Sequence, residues 1–264
     1  MAEERPVIPA GDAIVVRGLT KLFRDVAAVN DISFRVARGR FFGFLGPNGA
    51  GKSTTIKMLT GLLRPTAGEV EIEGIPLEKD LLAVKRVIGI LPEELFLYER
   101  LSGEEYLHFA GRMYGLSRDE TRRRGEELLD FLSLADDRGR LIIDYSQGMR
   151  KKLALAAALI HSPRVLFLDE PLNGIDPVSG RVVTDLLRRL ARKGVTLFFT
   201  SHGLDVVERL CDEVAIIDRG RILDQGSLAE IRERRAVGAD ASLEDVFLKL
   251  VGADVERRDL SWID

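Results

Sequence analysis

Apolar positions along the chain follow two rhythms. Runs at 13–16, 32–36, 41–45 and 165–168 are short and continuous, as in strands buried on one or both faces. The stretch 69–73 alternates acidic with apolar residues, the mark of a half-exposed strand. Between these lie segments with apolar residues every three or four positions: Ile56, Leu59, Leu62 and Leu63 before a stop near Pro65, then 147–160 and 178–193. Further short strands are predicted at 87–91, ahead of Pro92, and at 196–200. The runs 214–217 and 221–223 around Asp218, Arg219 and Gly220 read as a hairpin. Strands that alternate with helices pair in parallel, so the pattern predicts a mixed α/β fold.

The stretch 101–143 breaks this alternation. Two Ser-x-x-Glu sequences, Ser102 with Glu105 and Ser117 with Glu120, predict capping boxes that open two helices with no strand between them. The first helix carries Tyr106, Phe109, Ala110 and Met113 on one stripe and stops at Gly115; the second carries Leu128, Leu129 and Leu132. The aromatic and methionine stripe is read as helical core. Beyond Gly226 the chain holds amphipathic pieces, among them 242–250 with Val246, Phe247 and Leu250 on one face. No internal repeat, low-complexity tract or long linker is evident.

Composition narrows the classes. With 264 residues, 45% of them hydrophobic, the chain can bury a real core in one large domain or in one domain with an insertion. Lys and Arg number 39 against 42 Asp and Glu, a net charge of -3, which excludes a global nucleic-acid clamp. Any phosphate site must be local. Cys211 stands alone, so neither a disulfide framework nor a cysteine zinc cluster is expected, in keeping with a reducing compartment. The opening Met1-Ala2-Glu3-Glu4-Arg5 leads into no apolar stretch, against a secretory signal. The longest apolar runs are about eight residues, against about 20 for a helical span of a bilayer. The chain is expected not to cross a membrane by itself. The clusters 150–152 and 122–124 are read as solvated faces, and His108 and His161 as structural.

Gly46, Pro47, Asn48, Gly49, Ala50, Gly51, Lys52 and Ser53 match G-x-x-x-x-G-K-[ST] between a predicted strand and a predicted helix. Glycines let backbone N–H groups turn inward around an anion, and the following helix, with Thr54 in its first turn, points its positive end at the same place. Lys52 would then reach the β and γ phosphates of ATP, and the Ser53 hydroxyl would ligate Mg²⁺. Asp169 and Glu170 directly follow the buried strand 165–168, at the end where ligands gather in open α/β sheets. Alone, two carboxylates ending a strand say little. Beside the phosphate loop they predict hydrolysis of a magnesium nucleotide, Asp169 holding the metal and Glu170 polarising the attacking water.

Asp144-Tyr145-Ser146-Gln147-Gly148-Met149, at the start of a predicted helix, resembles the signature of the ATP-binding cassette family, usually written Leu-Ser-Gly-Gly-Gln. Ser146 and Gly148 match; Tyr145, Gln147 and Met149 depart, in a variant similar to that of cassettes from ABC-2 type transporters. The resemblance extends from about Ile14 to Gly252. The segment 172–177, including Asp176, is similar to the family's D-loop, and His202 to its switch histidine. The segment 18–23 resembles the one whose aromatic residue stacks on adenine, which would make Phe23 the adenine partner, and 241–250 is similar to the closing segment of ABC-2 cassettes. Glu93 falls where most cassettes carry the Q-loop glutamine.

The fold implied by this resemblance is α/β: a P-loop NTPase core with a mostly parallel sheet, an N-terminal antiparallel β subdomain and an inserted α-helical subdomain. Residues 12–252 would form a single ATPase domain, with 12–93 and 146–225 as nucleotide-binding core, 94–145 as helical insertion and 226–264 as C-terminal helical segment. The implied nucleotide contacts are Phe23, residues 46–54, Glu93, Ser146, Gly148, Asp176 and His202, with Glu170, His202 and Lys52 catalytic and Ser53, Glu93 and Asp169 at Mg²⁺. In the family two cassettes pack head to tail, and each ATP lies between the phosphate loop of one and the Ser-Gly signature of the other. One copy of each motif therefore implies a dimer, expected to be a homodimer. A separate membrane permease would supply the pathway, with the chain at the cytoplasmic face of the membrane, the helical insertion facing that permease, and transport outward. No nucleic-acid partner is expected. Three other readings compete: a soluble cassette ATPase uncoupled from transport, a P-loop kinase, and a nucleotide sensor. The kinase leaves Ser146, Asp176 and His202 unexplained, and the sensor leaves Glu170 without a task.

A carboxylate at 93 adds a full charge near the metal. If Glu93 ligates Mg²⁺, Glu93→Gln shifts the Mg²⁺ dependence of ATPase activity; an unchanged Mg²⁺ curve leaves Glu93 only a hinge role.

Overall fold

The strands of greatest apolar density become the middle of the fold. In the computed structural model, which describes residues 11–201, 203–235 and 241–252, the chain opens with β1 (Asp12–Phe23), β2 (Val26–Ala37), β3 (Phe41–Leu45) and α1 (Lys52–Leu59). It continues through β4 (Ala67–Ile72), β5 (Ile75–Pro76), α2 (Leu81–Val87), β6 (Ile88–Leu91), α3 (Gly103–Met113) and α4 (Arg118–Phe131). A single 3-10 turn, Ile142–Asp144, leads to α5 (Gln147–Leu159), β7 (Val165–Asp169), α6 (Pro177–Arg192), β8 (Thr196–Thr200) and α7 (Leu204–Leu210). The hairpin β9 (Glu213–Asp218) and β10 (Arg221–Gly226) precedes α8 (Leu228–Arg234) and α9 (Leu243–Val251).

Two sheets result. One is antiparallel in the order β2-β1-β4-β5; the other has six strands in the order β10-β9-β3-β8-β7-β6 and is parallel except where the hairpin strand β10 joins β9. Side chains of the six-stranded sheet alternate between two cores. Phe41, Leu45, Leu166, Leu168, Leu197 and Phe199 enter one with α5 and α6, while Phe42, Phe44, Phe167 and Phe198 enter the other with α1 and the antiparallel sheet. Phe34 of β2 carries the second sheet onto the first: its ring lies 5.8 Å from Phe42, 5.7 Å from Phe44 and 6.0 Å from Phe198. Such offset and tilted ring pairs contribute about 0.5–1.5 kcal/mol each beyond their buried area.

The segment between β6 and α5 is helical, as its lack of strand patterning predicts. Its ends are pinned together by a bridge between Ser102 and Leu141 and by the Ile142 N–H donating to the Leu101 carbonyl at 2.9 Å. Ser102 and Glu105 form a complete capping box. Ser117 caps α4, but Glu120 does not return the bond; hydrogen bonds from Arg123 and Arg124 engage it and hold its carboxyl at about 2. Arg124 is not merely a solvated charge, for its guanidinium also donates to the Ile160 carbonyl and Ser162 at 2.9 Å each.

The expected core stripe of α3 holds for Tyr106, which packs against the core, and fails for Phe109 and Met113. Phe109 is 40% exposed and Met113 72%, whereas Gly103, Leu107 and Gly111 face inward. The cause is close helix packing: a Cβ on Gly111 would lie 2.5 Å from Thr121 Cγ2, so the small residues of α3 occupy the buried side and Phe109 and Met113 are turned out. Two other differences are local. Helix α1 ends at Leu59, well before Pro65, because Gly61 turns the chain with φ 67°, and α2 emerges just before the expected strand 87–91, where no element was predicted, capped by Asp80 accepting from the Ala83 N–H.

Candidate functional site

Parallel pairing aligns the carboxyl ends of β3, β6, β7 and β8, and the polar residues that follow them meet there. The phosphate loop follows β3. Its glycines at 46 and 51 are required by contact: a Cβ on Gly46 would lie 2.2 Å from the Ile217 carbonyl, and one on Gly51, where φ is 109°, would lie 2.5 Å from the Ala28 carbonyl. The loop is also held from behind. Gly220, at the tip of the β9–β10 hairpin, donates its N–H to the Ala50 carbonyl at 2.9 Å and accepts from the Asn30 N–H of β2 at 2.8 Å. Gly51 stands at the N-cap of α1, where no side chain caps the helix and no acidic residue sits in the first turn, so the amides beginning at Lys52 and running through Ser53 and Thr54 have no side-chain competitor.

Lys52 is buried, with Nζ donating to the Gly46 carbonyl at 2.7 Å and the Pro47 carbonyl at 3.1 Å. Burial pushes its ammonium below the usual lysine range, and Glu170, Asp169 and Glu93, in that order, pull it back up. The phosphate-loop lysine and three carboxylates thus share one electrostatic neighbourhood, despite coming from three separate strand ends. Glu93 is exposed, two residues past the end of β6. Asp169 and Glu170 are both 5% exposed.

Thr200, at the end of β8, joins the two carboxylate residues. Its hydroxyl donates to Asp169 Oδ1 at 2.6 Å and accepts the Glu170 N–H at 3.1 Å, all within buried surroundings. The sequence reading missed this residue, because a threonine ending an apolar strand carries no signal of what lies across the ladder. Glu170 adopts φ 49°, a left-handed conformation costing a side chain with a Cβ about 1–2 kcal/mol. The turn sends the chain away from the sheet toward the D-loop-like segment, where Asp176 caps α6 by accepting the N–H groups of Val178 and Ser179 at 3.0 Å each. Those bonds hold the Asp176 carboxyl below the usual range.

Ser146 is the exposed N-cap of α5, accepting from the Met149 N–H at 3.2 Å. Gly148 lies beside the D-loop-like turn, since its Cβ would be 3.9 Å from the Gly174 carbonyl. Phe23, at the end of β1, is 48% exposed, with Lys21 Nζ 5.2 Å from its ring centre. It is therefore not a core aromatic. His202 lies outside the described residues. The basic cluster after the signature is not a solvated face: Lys151 is 4% and Lys152 7% exposed, and Arg150 donates to Glu99 at 3.0 Å and to the Ile143 carbonyl at 2.8 Å. Structural roles for His108 and His161 divide. His161 donates through Nε2 to the Ile88 carbonyl at 2.9 Å and stacks on Tyr114, while His108 is exposed on α3.

As a metal site, the cluster offers the Ser53 hydroxyl and the Asp169 carboxylate, hard oxygen donors suited to a cation that keeps its waters and takes phosphate oxygens. Among the described residues no three His, Cys, Asp or Glu side chains converge to hold a metal without such additional ligands.

Comparison with known proteins agrees with this geometry. A family described as ABC transporter matches residues 29–173. The chain is similar to a linearmycin resistance ATP-binding protein of Bacillus subtilis (strain 168), 38% identical over 226 residues that make up 86% of this chain and 72% of that protein. It is 40% identical over 243 residues to a daunorubicin resistance ATP-binding protein of Streptomyces coeruleorubidus, covering 92% of this chain and 76% of the other. A solved structure described as the ATP binding subunit of an ABC transporter superposes with a TM-score of 0.85 at 32% identity, over 90% of this chain and 99% of that one.

Replacing the bridging hydroxyl tests the site's construction. Thr200→Val leaves a buried carboxylate oxygen without its donor and a buried amide without its acceptor, and lowers unfolding free energy by about 1–3 kcal/mol for each group left unpaired, read by urea denaturation.

Proposed function

The chain belongs to the ABC transporter family, and from that premise we propose that it is the motor subunit of an ABC-2 type exporter, working as a dimer on a membrane permease. It binds and hydrolyses ATP. The observation that carries the fuller reading is the convergence of Lys52, Asp169, Glu170 and Glu93 at aligned strand ends, beneath a loop whose amides stand open to an anion.

In this reading the loop amides and Lys52 take the phosphates, and Phe23 takes the adenine on its exposed ring. Ser53 and Asp169 hold Mg²⁺, with Glu93 as a further candidate, and the bound cation supplies charge neutralisation at the β and γ phosphates. Glu170 accepts a proton from water as its oxygen attacks the γ-phosphorus and the bond to the β-phosphate oxygen breaks, giving ADP and phosphate. His202 stabilises the charge that develops on the transferring group. Ser146 and Gly148 close over the nucleotide of a second copy, the helix start and the hydroxyl offering positive potential to the γ-phosphate. Asp176 orders the adjacent turn by capping α6.

No helix among the described residues is long and apolar enough to cross a membrane. In this reading the pathway belongs to another chain, and the use of ATP places this one at the cytoplasmic face. The helical segment 94–145 is the part proposed to meet it. A groove of about 1010 Å³ borders that segment, with Phe96 85% and Tyr98 60% exposed among Glu93, Glu94 and Glu99. With Arg100, Arg150 and Lys151 also lining the groove, exposed aromatics rimmed by charge of both signs suit a cytoplasmic segment of a permease that carries apolar side chains. The resistance names of the relatives agree with an outward direction.

Glu170→Gln removes the proton acceptor and spares the phosphate cradle. It retains ATP binding, accumulates an ATP-bound dimer on light scattering, and turns over about 10²–10⁴-fold more slowly. Normal turnover by this variant would remove Glu170 from its role. Phe96→Asp is expected to abolish co-purification with the membrane permease while leaving ATP binding intact; retained co-purification would move the permease contact elsewhere.

A further inference from the structure

Two buried ammonium groups, Lys151 and Lys152, have no task once the site has been assembled, and Lys151 is bonded to the main chain of Glu170. Lys151 lies on the second turn of α5, 4% exposed, with its ammonium donating to the main-chain carbonyl of Glu170 and to that of Asn173 at 2.7 Å. A buried ammonium is expensive to desolvate unless its protons are bonded, so its placement against two carbonyls is specific. The same carbonyl of Glu170 also accepts the Asn173 N–H at 3.2 Å, closing the turn that begins at the left-handed Glu170. One helical turn before Lys151, on the same face of α5, Gln147 lies against this turn too: a Cβ on Gly174 would come within 2.9 Å of its Nε2. Glu170 is thereby gripped on both sides of its α-carbon, its N–H by Thr200 and its C=O by Lys151.

We propose that Lys151 is a positioning residue for hydrolysis, a strut from the signature helix that fixes the main chain of Glu170 and Asn173 and so aims the Glu170 carboxylate. A left-handed backbone is not held by the residue's own preference and needs such over-determination from its surroundings. The strut rests on the reading of Glu170 as the hydrolytic base and extends it. The start of α5 that carries Ser146 toward the nucleotide of the second copy also carries Lys151 toward the base of its own site. Engagement of one nucleotide is thus transmitted along a single helix to the carboxylate that serves the other.

Lys151→Met keeps the length and apolar stem and removes the ammonium. In the full-length chain it lowers kcat for ATP about 10- to 100-fold, the effect of misplacing a reacting group by about 1 Å, with KM for ATP unchanged because the phosphate loop is untouched. Amide hydrogen exchange in 170–176 speeds up about tenfold or more, while exchange in α1 and β3, which do not touch the strut, keeps its wild-type rate. In the Glu170→Gln background the same substitution adds no further loss of kcat, since the two act through one group. If Lys151→Met does not yield folded protein, Lys151→Gln, which keeps a neutral amide donor on a shorter stem, is read by the same kcat and exchange measurements. Unchanged kcat together with unchanged exchange overturns the proposal, as does a loss of kcat that adds fully to that of Glu170→Gln. Faster exchange in a chain whose wild type hydrolyses no ATP keeps the strut and overturns the role given to Glu170 instead.

Discussion

Everything at the site depends on burial of the six-stranded sheet on both faces. Phe41, Phe42, Phe44, Phe167, Phe198 and Phe199 leave water in alternation above and below β3, β7 and β8, which fixes their registers against one another, because a slip by one residue would exchange the two cores. Fixed registers mean fixed strand ends. Leu45, Asp169 and Thr200 close their strands at neighbouring points of the ladder, and Asp169 faces Thr200 directly. The hydroxyl-to-carboxylate bond at 2.6 Å is thus a product of hydrophobic register, even though it is polar itself.

Charge is concentrated where that register delivers it. A chain with a net charge of -3 has no field to collect phosphates over its whole surface, yet Lys52 sits low and buried among Glu170, Asp169 and Glu93. Positive potential toward an anion comes instead from backbone amides, which carry no counter-ion and need no reorganisation when a ligand enters. Lys151 works by the same economy on the other side of Glu170. Both lysines give their protons to main-chain carbonyls, so neither is neutralised by a carboxylate bonded to it.

Most of the scaffold was legible because its strands are short, continuous and separated by helical periodicity. The elements at 41–45, 147–159 and 196–200 stand where the apolar pattern put them, and the phosphate loop is readable from spacing alone. The pattern failed where packing depends on what is missing from a side chain. Phe109 and Met113 on α3 point outward because Gly111 allows close contact with α4, and periodicity counts only the residues that are large. Lys151 was illegible for the complementary reason. A charged residue in a helix reads as solvated, and only tertiary contact with carbonyls 19 and 22 residues further along reveals that it is buried. Thr200 required knowledge of which strand lies beside which. Local pattern does not carry that information.

The hairpin turn at Gly220 has a consequence of a different kind. By bonding to both Ala50 and Asn30 it ties the phosphate loop to two stretches of chain that share no motif with it. The loop therefore holds its shape before any ligand arrives, and its readiness is owned jointly by three distant parts of the polypeptide. Those parts form one unit of variation: a change in the turn or in β2 is a change in the loop, although no residue of the loop has been altered.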